Sequence, residues 1–171
     1  ELLDFHGGRW RVLAESGADL MGCETVPSLQ EAEVLLELLR RTSDQWAWMS
    51  FTCRDGSHLS DGTPLAAAAK MCDAGSRVAA VGINCTPPEH VSELISVIRN
   101  ATDKPIIAYP NAGGRYDAER KTWKGDVPRQ DWPALAAEWR DRGASVIGGC
   151  CRVAPADISR MRGRLLSSDQ P

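Results

Sequence analysis

Residues Val78 to Asn111 read VAAVGINCTPPEHVSELISVIRNATDKPIIAYPN, and the change of pattern inside this stretch decides the fold. Val78 to Asn84 is almost unbroken apolar sequence without the alternation of a half-exposed strand, which suits a strand covered on both faces. A helical stripe follows in EHVSELISVIRNA, and PIIAYPN (Pro105 to Asn111) is a second short apolar run. Strand, helix, strand in this order and at this length is a βαβ unit with parallel strands.

The same pattern recurs on both sides. ADLMGCE (Ala18 to Glu24), AWMSFT (Ala47 to Thr52) and SVIGGC (Ser145 to Cys150) complete five apolar runs, spaced by roughly 26 to 40 residues. Helical patterns fill the gaps. SLQEAEVLLELLRR opens with Ser28 and Glu31 in capping-box spacing and carries Ala32, Leu35, Leu36 and Leu39 on one stripe. DGTPLAAAAKMCDAG puts Pro64 at the expected first helical position and Gly75 at the stop. DWPALAAEWRDRG and PADISRMRGRLL read likewise, and GGRWRVLAESG gives a leading helical segment. The longest step, before the last strand, predicts a longer loop there. The fold class is α/β with a parallel sheet, either open and doubly wound or part of a barrel, and periodicity alone leaves both standing.

Composition narrows the function. A chain of 171 residues is long enough for one domain with a real core. Its net charge of -3, with both signs interspersed, gives no basic footprint for nucleic acid or an anionic membrane. No apolar run approaches the roughly 18 residues of a membrane span. Five of the six cysteines stand at the ends of strand-like runs, with Cys72 in a helical segment, rather than in a disulfide framework, which favours a reducing, cytoplasmic setting. The sequence sets no oligomeric state.

In parallel α/β folds the site gathers at the carboxyl ends of the strands. Four of the five ends here offer a cysteine: Cys23, Cys53, Cys85 and the pair Cys150-Cys151. Neighbours in a strand point to opposite faces, so Cys150 and Cys151 reach one centre only if the backbone turns, which Gly148 and Gly149 permit. With Cys85 as a third thiolate the set matches catalytic zinc, three protein ligands and one open position. Inert buried thiols remain the competing reading. A third reading takes NAGGR and GGCCR as phosphate-binding glycine loops, but it leaves the cysteines without a role.

GADLMGCETVPS, SFTCRDGSHLSDGTPL, VGINCTPPE, PIIAYPNAGGRYD with KTW, and GASVIGGCCRVAPADI together resemble the homocysteine S-methyltransferase family, closest to the bacterial branch using S-methylmethionine or S-adenosylmethionine. The resemblance runs from about Phe5 to about Leu165. It implies a zinc-dependent (β/α)8 barrel, with the metal on Cys85, Cys150 and Cys151 and the homocysteine ammonium on Glu24. Asn111, in YPNAGG, is a candidate substrate contact, although Asn before two glycines also suits a turn. The implied reaction passes a methyl group from the sulfonium donor to the homocysteine thiolate, giving methionine. Family members carry a glycine-rich first strand and two further strands before the segment that opens this chain. The expectation is therefore one homocysteine-binding domain over 1–171, corresponding to units four to eight and lacking the first part of the barrel. A fragment that keeps the zinc site without catalysis is the alternative. Cys23, Cys53 and Cys72 are expected to pack, as are Trp46, Trp48, Trp132 and Trp139. His6, His58 and His90 are expected at the surface or in caps, and Trp123 in a loop over the site.

Overall fold

The computed structural model describes residues 1–126 and 129–167. In chain order the elements are α1 (Leu2–Ala14), β1 (Met21–Val26), α2 (Leu29–Arg41), β2 (Ala47–Phe51), α3 (Leu65–Asp73), β3 (Val78–Asn84), α4 (Pro88–Arg99), β4 (Ile106–Tyr109), β5 (Arg115–Asp117), β6 (Thr122–Lys124), α5 (Trp132–Asp141), β7 (Ala144–Ile147) and α6 (Pro155–Ser167).

Five strands form one parallel sheet in the order β1-β2-β3-β4-β7. This order never reverses. A doubly wound sheet reverses direction at a switch point and so places helices on both faces, whereas right-handed crossovers in unbroken sequence put every helix on the same side. Each helix accordingly packs on the next, α1 on α2 through α5 on α6. The topology is that of an arc of a barrel wall, and it decides between the two architectures that periodicity left open.

Register sorts the strand residues into two faces. Met49, Phe51, Val81, Ile83, Ile106 and Ala108 face the helices and are buried against Leu35, Leu39, Leu94, Ile95, Ile98 and Trp139. The opposite face carries Gly22, Trp48 and Ala80 in one row and Ser50, Gly82, Ile107 and Val146 in another. That face narrows around Gly82, where a Cβ would overlap the Ile107 carbonyl oxygen. At its far end Val146 is 52% exposed.

Local chemistry fixes the ends of the elements. Ser28 Oγ accepts the Glu31 N–H at 3.2 Å, the expected cap of α2, while the Glu31 carboxylate turns away to His6. Arg77 donates to the carbonyls of Leu39 and Arg40 and to Thr42, closing the other end of α2. Asp131 caps α5 through the Ala134 N–H.

Several expectations need correction. Pro64 is the N-cap of α3, which begins at Leu65, because its ψ of 128° is extended rather than helical. His6 is buried, not at the surface, with its ring between Glu31 at 3.0 Å and Arg9 at 3.0 Å. Trp46 is 47% exposed rather than packed. The loop after β4 contains a β-hairpin, β5 antiparallel to β6, with Tyr116 against Trp123 at 5.5 Å between ring centres.

Candidate metal centre

Cys85 follows β3 directly, and Cys150-Cys151 follow the glycine turn after β7. β3 and β7 both flank β4, so the two turns meet over its carboxyl end. Backbone hydrogen bonds hold them there: Cys85 N donates to the Tyr109 carbonyl at 3.3 Å and Cys150 N to the Pro110 carbonyl at 2.8 Å. Ala112 N closes the ring on the Cys151 carbonyl at 3.0 Å.

The three sulfurs lie within 4.8 Å of one another. Cys85 Sγ and Cys151 Sγ are 3.7 Å apart, and Cys150 Sγ and Cys151 Sγ 3.9 Å. Two thiolates bound at about 2.3 Å to one tetrahedral zinc stand roughly 3.8 Å apart, so both spacings fit that ion. Cys85 and Cys150 are joined as a disulfide, with Cα atoms 5.6 Å apart. One pair inside the candidate metal cluster is not the disulfide framework that the sequence argued against. The same side chains therefore have two ways to close, an S–S bond when oxidised and three convergent thiolates when reduced. Cys151 is exposed, which gives the cluster an open side.

The remaining cysteines are separated from this centre by burial. Desolvation pushes the thiols of Cys23, Cys53 and Cys72 up to about 12, so each stays protonated and unfit as a metal ligand near neutral pH. These are packing residues, as expected.

Around the cysteines lies a polar network that links the strand ends. Tyr109 Oη donates to Glu24 Oε1 at 3.1 Å and accepts from Trp48 Nε1 at 3.3 Å. Burial raises the Tyr109 pKa, which keeps it a donor. Asn84 Oδ1 accepts from Ser50 Oγ at 2.8 Å and from Thr25 N at 2.9 Å, and Asn84 Nδ2 donates to Thr25 Oγ1 at 2.7 Å. Glu24 is thus held by Tyr109 rather than by the N-terminus of α2. Asn111 spends both ends of its amide on backbone, Nδ2 donating to the Cys85 carbonyl at 3.0 Å and Oδ1 accepting Gly113 N at 2.8 Å.

Arg152, the residue after the paired thiols, has φ +68°. Its guanidinium reaches the Gly125 carbonyl at 3.2 Å and sits over the Trp123 ring at 5.3 Å, tying the β5–β6 hairpin to the cysteine turn. Trp123 is therefore near the site, in a hairpin rather than a plain loop. Tyr109, Asn84 and Arg152 escaped the sequence reading. The only signal was their position beside strand-end motifs.

Residues 1–165 match the protein family described as homocysteine S-methyltransferase. Homocysteine S-methyltransferase YbgG of Bacillus subtilis is 46% identical over 94% of this chain and 51% of its own length. Homocysteine S-methyltransferase 3 of Zea mays is 46% identical over 92% of this chain and 47% of its own. The chain spans about half the length of these curated relatives. The metallated form of the homocysteine methyltransferase MmuM from Escherichia coli superposes with a TM-score of 0.81 at 37% identity, over 95% of this chain and 51% of that one.

Proposed function

The chain belongs to the homocysteine S-methyltransferase family, and from that premise we propose that it carries the metal and acceptor half of a zinc-dependent methyl transfer from a sulfonium compound to homocysteine. The observation that supports this best is the convergence of three sulfurs from two strand ends on one point with an open side. In this reading Cys85, Cys150 and Cys151 hold zinc once reduced. When bound, the ion lowers the pKa of a fourth, incoming thiol so that it stays a thiolate near neutral pH.

Glu24, fixed by Tyr109 at the end of β4, takes the homocysteine ammonium and so orients the acceptor sulfur. The chemistry is a single displacement. The acceptor thiolate forms the new C–S bond to the methyl carbon, the donor's S–CH3 bond breaks, and its electron pair returns to the donor sulfur. The sulfonium leaves as a neutral thioether, methionine from S-methylmethionine or S-adenosylhomocysteine from S-adenosylmethionine, so no general acid is required. The acceptor's thiol proton has already gone to solvent. Asn111 enters this reading as the group that holds the Cys85 carbonyl in its turn, since both ends of its amide are engaged there.

Such chemistry needs reduced thiols, which supports a cytoplasmic setting. No helix among the described residues is long and apolar enough to cross a membrane. The test is zinc content and methionine formation from homocysteine with each sulfonium donor, for the reduced protein and for Cys150→Ala and Cys151→Ala. About one zinc per chain, lost together with turnover in both variants, is the expected result. Zinc binding by this chain, with turnover only in a longer form of the protein, would leave the non-catalytic fragment as the better reading. Turnover that survives both substitutions would end the proposal.

A further inference from the structure

Besides Arg152, two non-glycine residues at the site stand in the left-handed region, Thr25 at φ +61° and Cys85 at φ +48°. Such backbone is uncommon outside glycine, and for a β-branched residue such as threonine it is an outlier that surrounding structure must enforce. One side chain stands between them. Asn84 is 1% exposed and immediately precedes Cys85. Its amide grips Thr25 twice, at the backbone N–H (2.9 Å) and at the hydroxyl (2.7 Å), and is itself oriented by Ser50 at 2.8 Å. Thr25 in turn follows Glu24 directly. A single amide thus couples the irregular end of β1 that aims the carboxylate of Glu24 to the turn that aims the sulfur of Cys85, across the intervening strand β2.

We infer that Asn84 is the positioning residue that sets Glu24 and Cys85 in register, so that metal affinity and acceptor binding depend together on one buried amide. This rests on the assignment of Glu24 and the three cysteines given above. Both acceptor bonds and the donor bond are needed, which an aspartate or a leucine of similar size would not reproduce.

The experiment compares wild type, Asn84→Ala, Ser50→Ala and Asn84→Ala combined with Thr25→Gly, in the longest natural form of the protein and under reducing conditions. Zinc affinity is read by competition with a chromophoric chelator, and the homocysteine KM at saturating zinc. Loss of an outer-shell partner lowers metal affinity by roughly 10- to 100-fold, and Asn84→Ala is expected in that range, with a homocysteine KM raised at least about fivefold. Glycine at 25 adopts the left-handed turn without help, so the double variant is expected to recover KM but not zinc affinity. Ser50→Ala, which removes only the bond orienting the amide, is expected to shift both constants the same way by a smaller factor of about two to five. It carries the test if Asn84→Ala fails to fold. A lowered melting temperature with both constants within twofold of wild type, in Asn84→Ala or in Ser50→Ala if only that variant folds, overturns the inference. So does a double variant no better in KM than Asn84→Ala. Absence of methyl transfer by the wild type would instead remove the substrate reading, and the zinc affinities would still decide whether Asn84 positions Cys85.

Discussion

The six cysteines divide by where the backbone puts them. Cys23 lies inside β1 on the helix-facing side, whereas its neighbour Glu24 points the other way and is exposed. Cys85, Cys150 and Cys151 lie past their strands, where turns free the side chains from the two-face rule. After reduction, a thiol alkylating reagent is expected to label those three in the native protein, with zinc protecting them. Cys23, Cys53 and Cys72 should label only in denaturant, and mass spectrometry of the labelled peptides checks this. The buried thiols also set an alkaline limit. Their pKa values rise from 9.0 to about 12 on folding, so the folded state holds protons that the unfolded state gives up. Their contribution is complete below about pH 9 and is lost as pH climbs from 9 toward 12, by about 1.4 kcal/mol per pH unit for each thiol. Urea titrations across that range should show the fall, with a shallower slope in Cys72→Ala. At the carboxylate, Tyr109→Phe removes one hydrogen bond to a charged group, worth about 1.5 kcal/mol, and is expected to raise the homocysteine KM about tenfold with a smaller change in kcat. Strand-end chemistry was legible at this scale. The partners of Glu24 and Asn84 were not, because they come from other strands.

Among the elements, the apolar runs located every strand of the large sheet, and Val78–Asn84 agrees at both ends. The others moved by one to three residues, since burial at a strand end depends on what packs there. β5 and β6 have three residues each and lie in polar sequence, so no periodicity announces them. What holds the hairpin is its cross-strand pairs, the Tyr116–Trp123 contact and the Lys124–Asp117 ion pair at 2.7 Å, together with the tertiary tie through Arg152. Gly82 is legible only in space. Gly82→Ala forces a methyl group into the Ile107 carbonyl and parts β3 from β4, beneath the cysteine turns. A loss of about 3 kcal/mol or more in chemical denaturation is expected, or no folded protein at all. Ser28→Ala, by contrast, removes one cap from α2 and is expected to cost about 1 kcal/mol.

Over the whole molecule, the unreversed strand order has a consequence at its two ends. β1 and β7 each have one partner among the described residues, and Val146 is exposed on the face away from the helices. α1 and α6 end the helix layer with Phe5, Val12, Ile158 and Leu166 exposed. Open parallel edges with apolar flanks favour pairing with other chains. The 171-residue chain on its own is expected to self-associate at micromolar concentration in light scattering. Self-association should weaken when the two edges are covered by fusing complementary strands from a relative. A soluble monomer with a sharp melting transition would show instead that the arc is self-sufficient.

Sequence alone determined the parallel α/β class and the positions of its strands and helices. It also determined the crowding of thiols at strand ends, because apolar periodicity, capping residues and glycine turns are local and leave their mark within a few residues. Apolar periodicity left open whether the sheet is doubly wound or an arc of a barrel. The family resemblance implied the barrel, and the unreversed strand order of the tertiary structure bears it out. The tertiary structure alone showed that Cys85 and Cys150 approach closely enough to bond, and that Asn84 and Tyr109 bind the site's two halves together. Those facts depend on distances between residues far apart in the chain, and such distances are fixed by packing and strand register rather than by any pattern along the sequence.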